Sequence, residues 1–317
     1  MSDSVSWASD KNAPNHCLPW SAKLEEAALN DKGTWYSIPG DLVDQHGVIW
    51  LKEPACSDRN DLVKRLLGGN YAKPFVVDDG LTRRLHFDFR FAQSEMNMDE
   101  PYELISAYAR KMMAFLLFSA KPRHIVIVGL GGGGLTKFSY RHLPSARITT
   151  VEVNADVIAL SDLFGLPRQD SRMNIVHADA ADYFATEDAF ADVILLDGCD
   201  KIGIAPAFKS TSFYQNLHAR LRPHGVLALN LIGKGDQLAA HLALLAEVFS
   251  NKLLLADVSG SANRVVFAFK DPEFSPDWDK IRARANKLQI EHGLDFPRFA
   301  RLLQRSQKRY AGSARWG

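Results

Sequence analysis

The chain has 317 residues, of which 46% are apolar and 24% are charged, the balance of an ordinary soluble protein with a large core. The formal net charge of +1 gives no strong field that would indicate nucleic acid or an anionic membrane as a partner. The longest uninterrupted apolar run near the middle, Met112 to Phe118, is too short to span a bilayer. The length suits roughly two domains of about 150 residues each.

The start of the chain and its cysteines suggest a cell compartment. The opening MSDSVSWASDKNAPNH has no basic segment followed by an apolar one, so we expect no secretory signal. Cys17, Cys56 and Cys199 are widely spaced and form neither a zinc pattern nor a disulfide framework. We therefore expect a cytoplasmic protein whose thiols stay reduced and which holds no metal.

The first hundred residues divide into two parts. Residues 1–45 are polar and weakly patterned, which indicates a flexible or loosely docked arm. Residues 46–100 predict a small β-rich domain with a helical interruption. Within it, Asp79 and Gly80 separate two apolar alternating runs, a strong hairpin signal. From Pro101 to Phe118 the apolar spacing becomes helical.

Residues 101–271 then alternate between strands and helices, which predicts an α/β fold with a parallel sheet. The strands are HIVIVG, ARITTVEV, MNIVHAD, ADVILLDG and VLALNLIG. The run KLLLADVSGSANRVVFAFK has two strands around a Gly-Ser turn, so we predict a terminal antiparallel hairpin. This pattern is typical of a Rossmann-like, seven-stranded sheet of the methyltransferase type. Residues 272–317 predict a helical extension in which a capped helix begins near Asp277, and we interpret its basic tail as a solvated face.

The loop after the first of these strands, GLGGGG, predicts a nucleotide site. Gly129, Gly131 and Gly134 satisfy G-x-G-x-x-G between a strand and a helix, the context that a dinucleotide fingerprint requires. Gly132 and Gly133 complete the run of four. Glycine allows a sharp turn and a close approach of a ligand to the backbone. The following helix presents free N–H groups toward that ligand.

Acids at the ends of later strands favour an adenosine ligand other than a nicotinamide dinucleotide. Glu152, about 20 residues past Gly132, can take both ribose hydroxyls. Asp179 is placed to accept a hydrogen bond from an adenine amino group. Asp197 and Asp200 follow the next strand, where ligands bind in open α/β sheets. Asp197 could instead serve only as a helix cap.

The ordered set of motifs from about Gln93 to Lys270 resembles the spermidine synthase family, the aminopropyltransferases. QSEMNMDEPYEL resembles the gate segment, GLGGGG the glycine loop and VEVNADVI the ribose strand. ADAADYF resembles the adenine site, with Asp179 and Ala180, and DVILLDGCDKIG resembles the catalytic loop. FYQNLHARLRPHGVLALN resembles the following helix and strand. More weakly, the preceding segment resembles the family's N-terminal β-domain.

The resemblance implies a function. The expected reaction transfers an aminopropyl group from decarboxylated S-adenosylmethionine to a polyamine such as putrescine and releases methylthioadenosine without a metal. It implies Asp197 as the base or amine-orienting group, Asp200 as a second acid on the acceptor amine, and Tyr102 as the gate tyrosine. It also implies a homodimer that binds a small-molecule amine. The remaining implied contacts are Gln93 to the nucleoside and, to the polyamine, Asp99, Glu100, Glu103 and Asn230.

Two positions depart from the family pattern. Gly132 stands where the family commonly has an Asp that binds the aminopropyl amine and disfavours the carboxylate of S-adenosylmethionine. Lys201 replaces the usual proline after Asp200. These departures leave open an S-adenosylmethionine-dependent methyltransferase and a nucleoside-binding homologue without catalysis. A nicotinamide oxidoreductase is a more distant alternative, since no separate substrate domain is evident.

Overall fold

A small antiparallel sheet begins the part of the chain that the computed structural model describes, which covers residues 33–186, 190–200, 203–204, 206–233 and 235–310. Its strands follow one another in chain order, each antiparallel to the next. They are β1 (Thr34–Pro39), β2 (Val48–Glu53), β3 (Phe75–Asp78), β4 (Thr82–Asp88) and β5 (Phe91–Asn97). Helix α1 (Arg59–Leu67) lies between β2 and β3 and buries Leu62 and Leu66 against the sheet. The hairpin predicted at Asp79-Gly80 is confirmed.

The first boundary that we expected differs from the structure. Strand β1 pairs with β2 from Thr34, inside the range assigned to a polar arm, so the sheet begins before residue 46. The period-two alternation is visible here, because Ile38, Ile49 and Leu51 are fully buried while their neighbours are partly exposed. Residues 1–32 of the expected arm lie outside the described ranges.

The second sheet has seven strands and is mixed. Its order is β13-β14-β12-β9-β6-β7-β8, and β14 runs antiparallel to both of its neighbours. These strands are β6 (His124–Val128), β7 (Arg147–Glu152), β8 (Met173–His177), β9 (Ala191–Leu196), β12 (Leu221–Ile232), β13 (Leu253–Asp257) and β14 (Asn263–Phe269). A short antiparallel pair, β10 (Cys199–Asp200) and β11 (Gly203–Ile204), follows β9. The predicted seven-stranded α/β fold with a small β-rich N-terminal sheet is confirmed at this level.

Helices connect the strands of the second sheet and continue after it. They are α2 (Ala107–Met112), α3 (Gly134–His142), α4 (Ala155–Ala159), α5 (Ala180–Thr186), α6 (Thr211–Arg220), α7 (Asp236–Val248), α8 (Trp278–His292) and α9 (Phe296–Tyr310). Helix α2 begins six residues later than the apolar spacing from Pro101 suggested. The helix expected near residue 277 is confirmed, with the Asp277 side chain accepting from Lys280 N at 3.1 Å as its cap.

Both faces of the central strands are buried, as a parallel sheet requires. In β6, Ile125 and Ile127 pack in one apolar cluster, whereas Val126 and Val128 pack in the cluster on the other side. The first cluster includes α8 and α9, and the second includes α6 and α7. The apolar faces of these strands leave the edges of the sheet as the places where its residues can meet a polar ligand.

Candidate active site

A cavity of about 790 Å³ lies at the carboxyl ends of β6, β7, β8, β9 and β12. Strand β5 and the segment 103–109 line its other side, so residues from the small N-terminal sheet and the larger sheet share one cavity. Strand register brings three chain segments together there. Val128 pairs with both Val151 and Leu196, so the residues that follow, Gly129, Glu152 and Asp197, stand side by side.

The glycine loop is shaped by its surroundings. Gly129 has φ +91°, and a Cβ there would overlap the Asp197 carbonyl oxygen. Gly133 has φ +70° and is the N-cap residue of α3. A Cβ on Gly133 would overlap the Leu166 side chain, and the residue does not line the cavity, so it acts on the shape of the loop. Gly131 and Gly132 do line the cavity, and Gly132 N donates to Ser94 Oγ at 2.7 Å. The loop thus opens toward the cavity between β5 and the start of α3.

Glu152 holds this loop in place. Its Oε2 accepts from Leu130 N at 2.8 Å, and its Oε1 accepts from Asn154 N at 2.8 Å. The residue is 8% exposed and lines the cavity. Each carboxylate oxygen has a second lone pair, so the group can still accept from a ligand hydroxyl. Its position at the end of β7 is the one expected of a ribose-binding acid.

Asp179 and Ala180 lie where β8 leads into α5. Asp179 Oδ1 accepts from Ala181 N at 2.7 Å, which satisfies a free donor of the helix. Both residues line the cavity, and so does Val153, which is 63% exposed. At the end of the cavity away from Asp197, Val153 thus supplies an apolar surface and Asp179 supplies a hydrogen-bonding carboxyl. This arrangement fits a planar base.

Asp197 follows β9 directly and faces the cavity. Burial raises the pKa of its carboxyl above the ordinary value, and hydrogen bonds from Asn230 and Tyr108 oppose that shift. Asn230 Nδ2 donates to Asp197 Oδ1 at 3.0 Å. A raised pKa together with fixed hydrogen-bond donors is typical of carboxyl groups that handle protons.

A second amide fixes Asn230. Asn263 Nδ2 donates to Asn230 Oδ1 at 2.9 Å, so the Asn230 oxygen is used and its NH₂ points to Asp197. Asn230 is 6% exposed, near the end of β12, and Asn263 is the first residue of β14. Because β14 returns antiparallel to β12, this register brings both amides to the same edge as Asp197.

The structure places the tyrosine next to Asp197 at a different position from the one that we expected. Tyr102 lines a neighbouring cavity, where the Arg141 guanidinium lies 5.0 Å from its ring centroid. Tyr108, in the first turn of α2, lines the cavity beside Asp197 and hydrogen-bonds to that carboxyl.

The acids of the gate segment are also divided between two cavities. Asp99 is exposed and lines neither cavity, and Glu100 lines the neighbouring one. Glu103 lines both, but Arg110 Nη2 donates to its Oε1 at 3.0 Å. The side chain of Asp200 and all of Lys201 lie outside the described part of the structure. Of Asp99, Glu100 and Glu103, only Glu103 lines the cavity beside Asp197, so the structure does not bring these three acids together there.

Gln93 lines the cavity from β5. Ser94 and Phe208 also line it, and we had singled out neither from the sequence. Among the described residues, no group of three or more His, Cys, Asp or Glu is arranged to hold a metal ion, and no helix is long and apolar enough to cross a membrane.

Comparison with known proteins identifies the family. A family model described as a spermine/spermidine synthase domain matches residues 105–248. A polyamine aminopropyltransferase of Chromobacterium violaceum is 32% identical over 238 residues, which span 75% of this chain and 91% of that protein. The chain belongs to the spermidine synthase family. As a member of that family it is a transferase.

Two further similarities place this spermidine synthase family member among its neighbours. A probable spermidine synthase from Corynebacterium glutamicum shares the fold, with a TM-score of 0.57 and 21% identity over 72% of this chain and 90% of that one. A human eEF1A lysine and N-terminal methyltransferase is 33% identical over 166 residues, 48% of this chain and 24% of that protein. The family's scaffold is therefore shared with proteins named for methyl transfer.

Proposed function

We propose that this protein transfers the aminopropyl group of decarboxylated S-adenosylmethionine to a polyamine such as putrescine, with methylthioadenosine as the second product. One observation carries the proposal: the Asp197 carboxyl, whose pKa burial raises, stands beside the glycine loop and accepts hydrogen bonds from Asn230 and Tyr108. Membership of the spermidine synthase family supports the same reaction.

The residues of the cavity suit a sulfonium nucleoside. We assign Glu152 to the ribose hydroxyls, and Asp179 with Ala180 to the base, because all three line the cavity. Gly131 and Gly132 both line the cavity, so the backbone of the glycine loop borders the space for the ligand. The sulfonium supplies its own leaving group, so the protein has to hold the two substrates in line and manage one proton. Positioning of this kind can supply about 7 kcal/mol or more of a barrier.

Asp197 is assigned the role of base for the acceptor amine. An alkylammonium has a pKa of about 10, so a proton must leave before nitrogen can attack carbon. Asn230 and Tyr108 occupy part of the Asp197 carboxylate, which directs the remaining lone pairs into the cavity. In this scheme the nitrogen–carbon bond forms as the carbon–sulfur bond breaks. The nitrogen lone pair supplies the new bond, sulfur keeps the old pair, and Asp197 takes the proton.

Turnover with synthetic substrates tests the proposal. Incubation with decarboxylated S-adenosylmethionine and putrescine should release methylthioadenosine in step with spermidine. Absence of methylthioadenosine with every di- and polyamine tried would refute it.

A methyltransferase on the same scaffold is the second candidate, and Gly132 favours it. No carboxylate stands at this position to bind the aminopropyl amine or to exclude an ordinary S-adenosylmethionine carboxylate. A Cβ on Gly132 would lie 2.9 Å from Ser94 Oγ and 2.9 Å from Phe164 Cδ1, so the loop is packed for glycine. Calorimetry decides between the two: this candidate requires S-adenosylmethionine to bind at least as tightly as methylthioadenosine.

The assembly and location that we propose rest on the family alone. We propose a homodimer that acts in the cytoplasm on a small-molecule amine. Light scattering on the purified protein tests the dimer, and a monomeric mass at working concentration would contradict it.

A further inference from the structure

A second cavity, of about 730 Å³, lies on the other side of the gate segment from the cavity beside Asp197 and the glycine loop. We call the latter the nucleoside cavity. Its walls come from α2, α3, the turn between α8 and α9, and the first turn of α9. Glu103 and Leu104 line both cavities, so the two are neighbours. This volume falls within the range of roughly 300–1,000 Å³ that is usual for small-molecule sites.

Three cations from three different helices line this cavity without an acidic partner. They are Lys111 of α2, Arg141 of α3 and Arg298 of α9. Within the described ranges, none of the three forms an ion pair. A fourth cation, Arg110, is paired with Glu103 at 3.0 Å. Unpaired cations that converge on a concave surface are the usual composition of an anion site.

The acids of the same cavity do not neutralise these three groups. Glu103 is taken by Arg110. Asp295 Oδ1 accepts a hydrogen bond from the backbone Arg298 N at 3.0 Å, so one of the two Asp295 carboxylate oxygens is used by the first turn of α9. Glu100 is exposed. The remaining wall is aromatic or neutral and includes Tyr102, under the Arg141 guanidinium, with Phe138 and Phe299.

The pKa of Lys111 shows that its positive charge is destabilised in this cavity. Its pKa is lowered from the ordinary value, first by burial and second by the positive charge of Arg298. No acid contributes to that shift. Lys111 and Arg298 are thus held near each other on separate helices. A bound anion would offset both the repulsion between these two cations and the unfavourable burial of the Lys111 charge.

We propose that this second cavity binds a small molecule that carries a phosphate group, held by Lys111, Arg141 and Arg298. A phosphate offers up to two charges and several acceptor oxygens, which three separated cations can share, whereas a single carboxylate offers one charge and two oxygens. Arginine is the residue that suits phosphate geometry, and two of the three are arginines. The aromatic wall and the spare volume are suited to the organic part of the ligand.

Titration calorimetry with inorganic pyrophosphate, at constant ionic strength and without divalent metal, tests the site on the full chain. We expect saturable binding with a dissociation constant below about 1 mM. Arg298→Ala and Lys111→Ala should each weaken it by about tenfold or more, since each removes a charged contact. Arg305→Ala is the matched control, because this exposed arginine of α9 lies about 10 Å further along the helix and lines neither cavity.

The outcomes separate this site from the nucleoside cavity. Saturating methylthioadenosine should leave pyrophosphate binding unchanged, because the two ligands use different cavities, and this measurement needs no turnover. Competition by methylthioadenosine would place the anion at the glycine loop and overturn the proposal. So would an equal loss in Arg305→Ala, or the absence of saturable binding. Citrate that binds as tightly as pyrophosphate would overturn the assignment to phosphate.

Discussion

Asn230 donates an amide hydrogen bond to Asp197 across the junction of two parallel strands, at 3.0 Å between Nδ2 and Oδ1. The strand register accounts for it, because Leu229 pairs with Leu196 and the next residue of each strand stands at the sheet edge. Asn263 completes the chain of donors from β14. The carboxyl that we assign as the base is thus oriented by residues 33 and more positions away in the sequence.

The Tyr108 hydroxyl should set the acid limb of the pH profile. Burial raises the pKa of Asp197 and the Tyr108 hydrogen bond opposes that shift, so Tyr108→Phe should raise the pKa further. The base is active only when deprotonated, and activity falls as the pH drops through this pKa. The acid limb of kcat/KM should therefore move to higher pH in the variant.

Tyr102→Phe is the matched control for that experiment, because Tyr102 lines the other cavity. Its profile should overlie that of the wild type. An acid limb that moves in Tyr102→Phe and not in Tyr108→Phe would reverse our assignment of the two tyrosines.

Removing the second amide should reduce turnover more than binding. Asn263→Ala leaves Asn230 free to rotate its amide, so Asp197 loses a fixed donor while the nucleoside contacts stay. We expect kcat to fall by about tenfold, with the KM for the nucleoside changed less than about twofold. A rise in that KM with kcat intact would show that Asn263 acts on nucleoside binding instead of positioning Asp197.

The packing of Gly132 predicts a sharp contrast between neighbouring glycines. A Cβ on Gly132 would lie 2.9 Å from both Ser94 Oγ and Phe164 Cδ1, while one on Gly134 would lie 3.6 Å from Leu104 Cδ2. Gly132→Ala should lower the free energy of unfolding by about 1–3 kcal/mol. Gly134→Ala, in the first turn of α3, should be neutral or stabilising. Chemical denaturation measures both, and equal effects would contradict the packing of this loop.

Lys137 should make stability depend on pH. It is 1% exposed, its ammonium donates to Phe164 O at 2.7 Å, and burial lowers its pKa to about 8. Because the folded-state pKa is depressed, the charged form costs stability below pH 8, and that cost disappears as the pH rises toward 10.5. Lys137→Met should therefore be more stable than the wild type at pH 7 by about 1–2 kcal/mol.

The stability advantage of Lys137→Met should shrink as the pH is raised from 7 to 10. Denaturation of both proteins across that range gives the difference directly. An advantage that grows with pH would mean that the lysine is stabilised in its charged form.

The sequence predicted the elements of this fold well where one segment determines its own structure. The strand before Gly129, the Asp79-Gly80 hairpin and the cap at Asp277 all follow from local patterns. Strand β1 was missed because its run is short and lies next to a polar stretch.

The site was predictable only in part, for a physical reason. Glu152, Asp179 and Asp197 could be placed because each ends a strand, and parallel strands end at one edge. Tyr108, Ser94 and Asn263 could not, because their contacts depend on the register of β14 and on how β5 and α2 meet the larger sheet. Choosing between Tyr102 and Tyr108 required knowing on which side of the gate segment each ring lies.

The most direct test measures methylthioadenosine release from decarboxylated S-adenosylmethionine and putrescine by the wild type and by Asp197→Asn. We expect turnover by the wild type and a loss of about 100-fold or more in the variant, which is the usual contribution of a general base. Methylthioadenosine should still raise the Tm of the variant, because the nucleoside contacts remain. Equal turnover by both proteins, or methyl transfer from S-adenosylmethionine with no methylthioadenosine released, would contradict the proposed function.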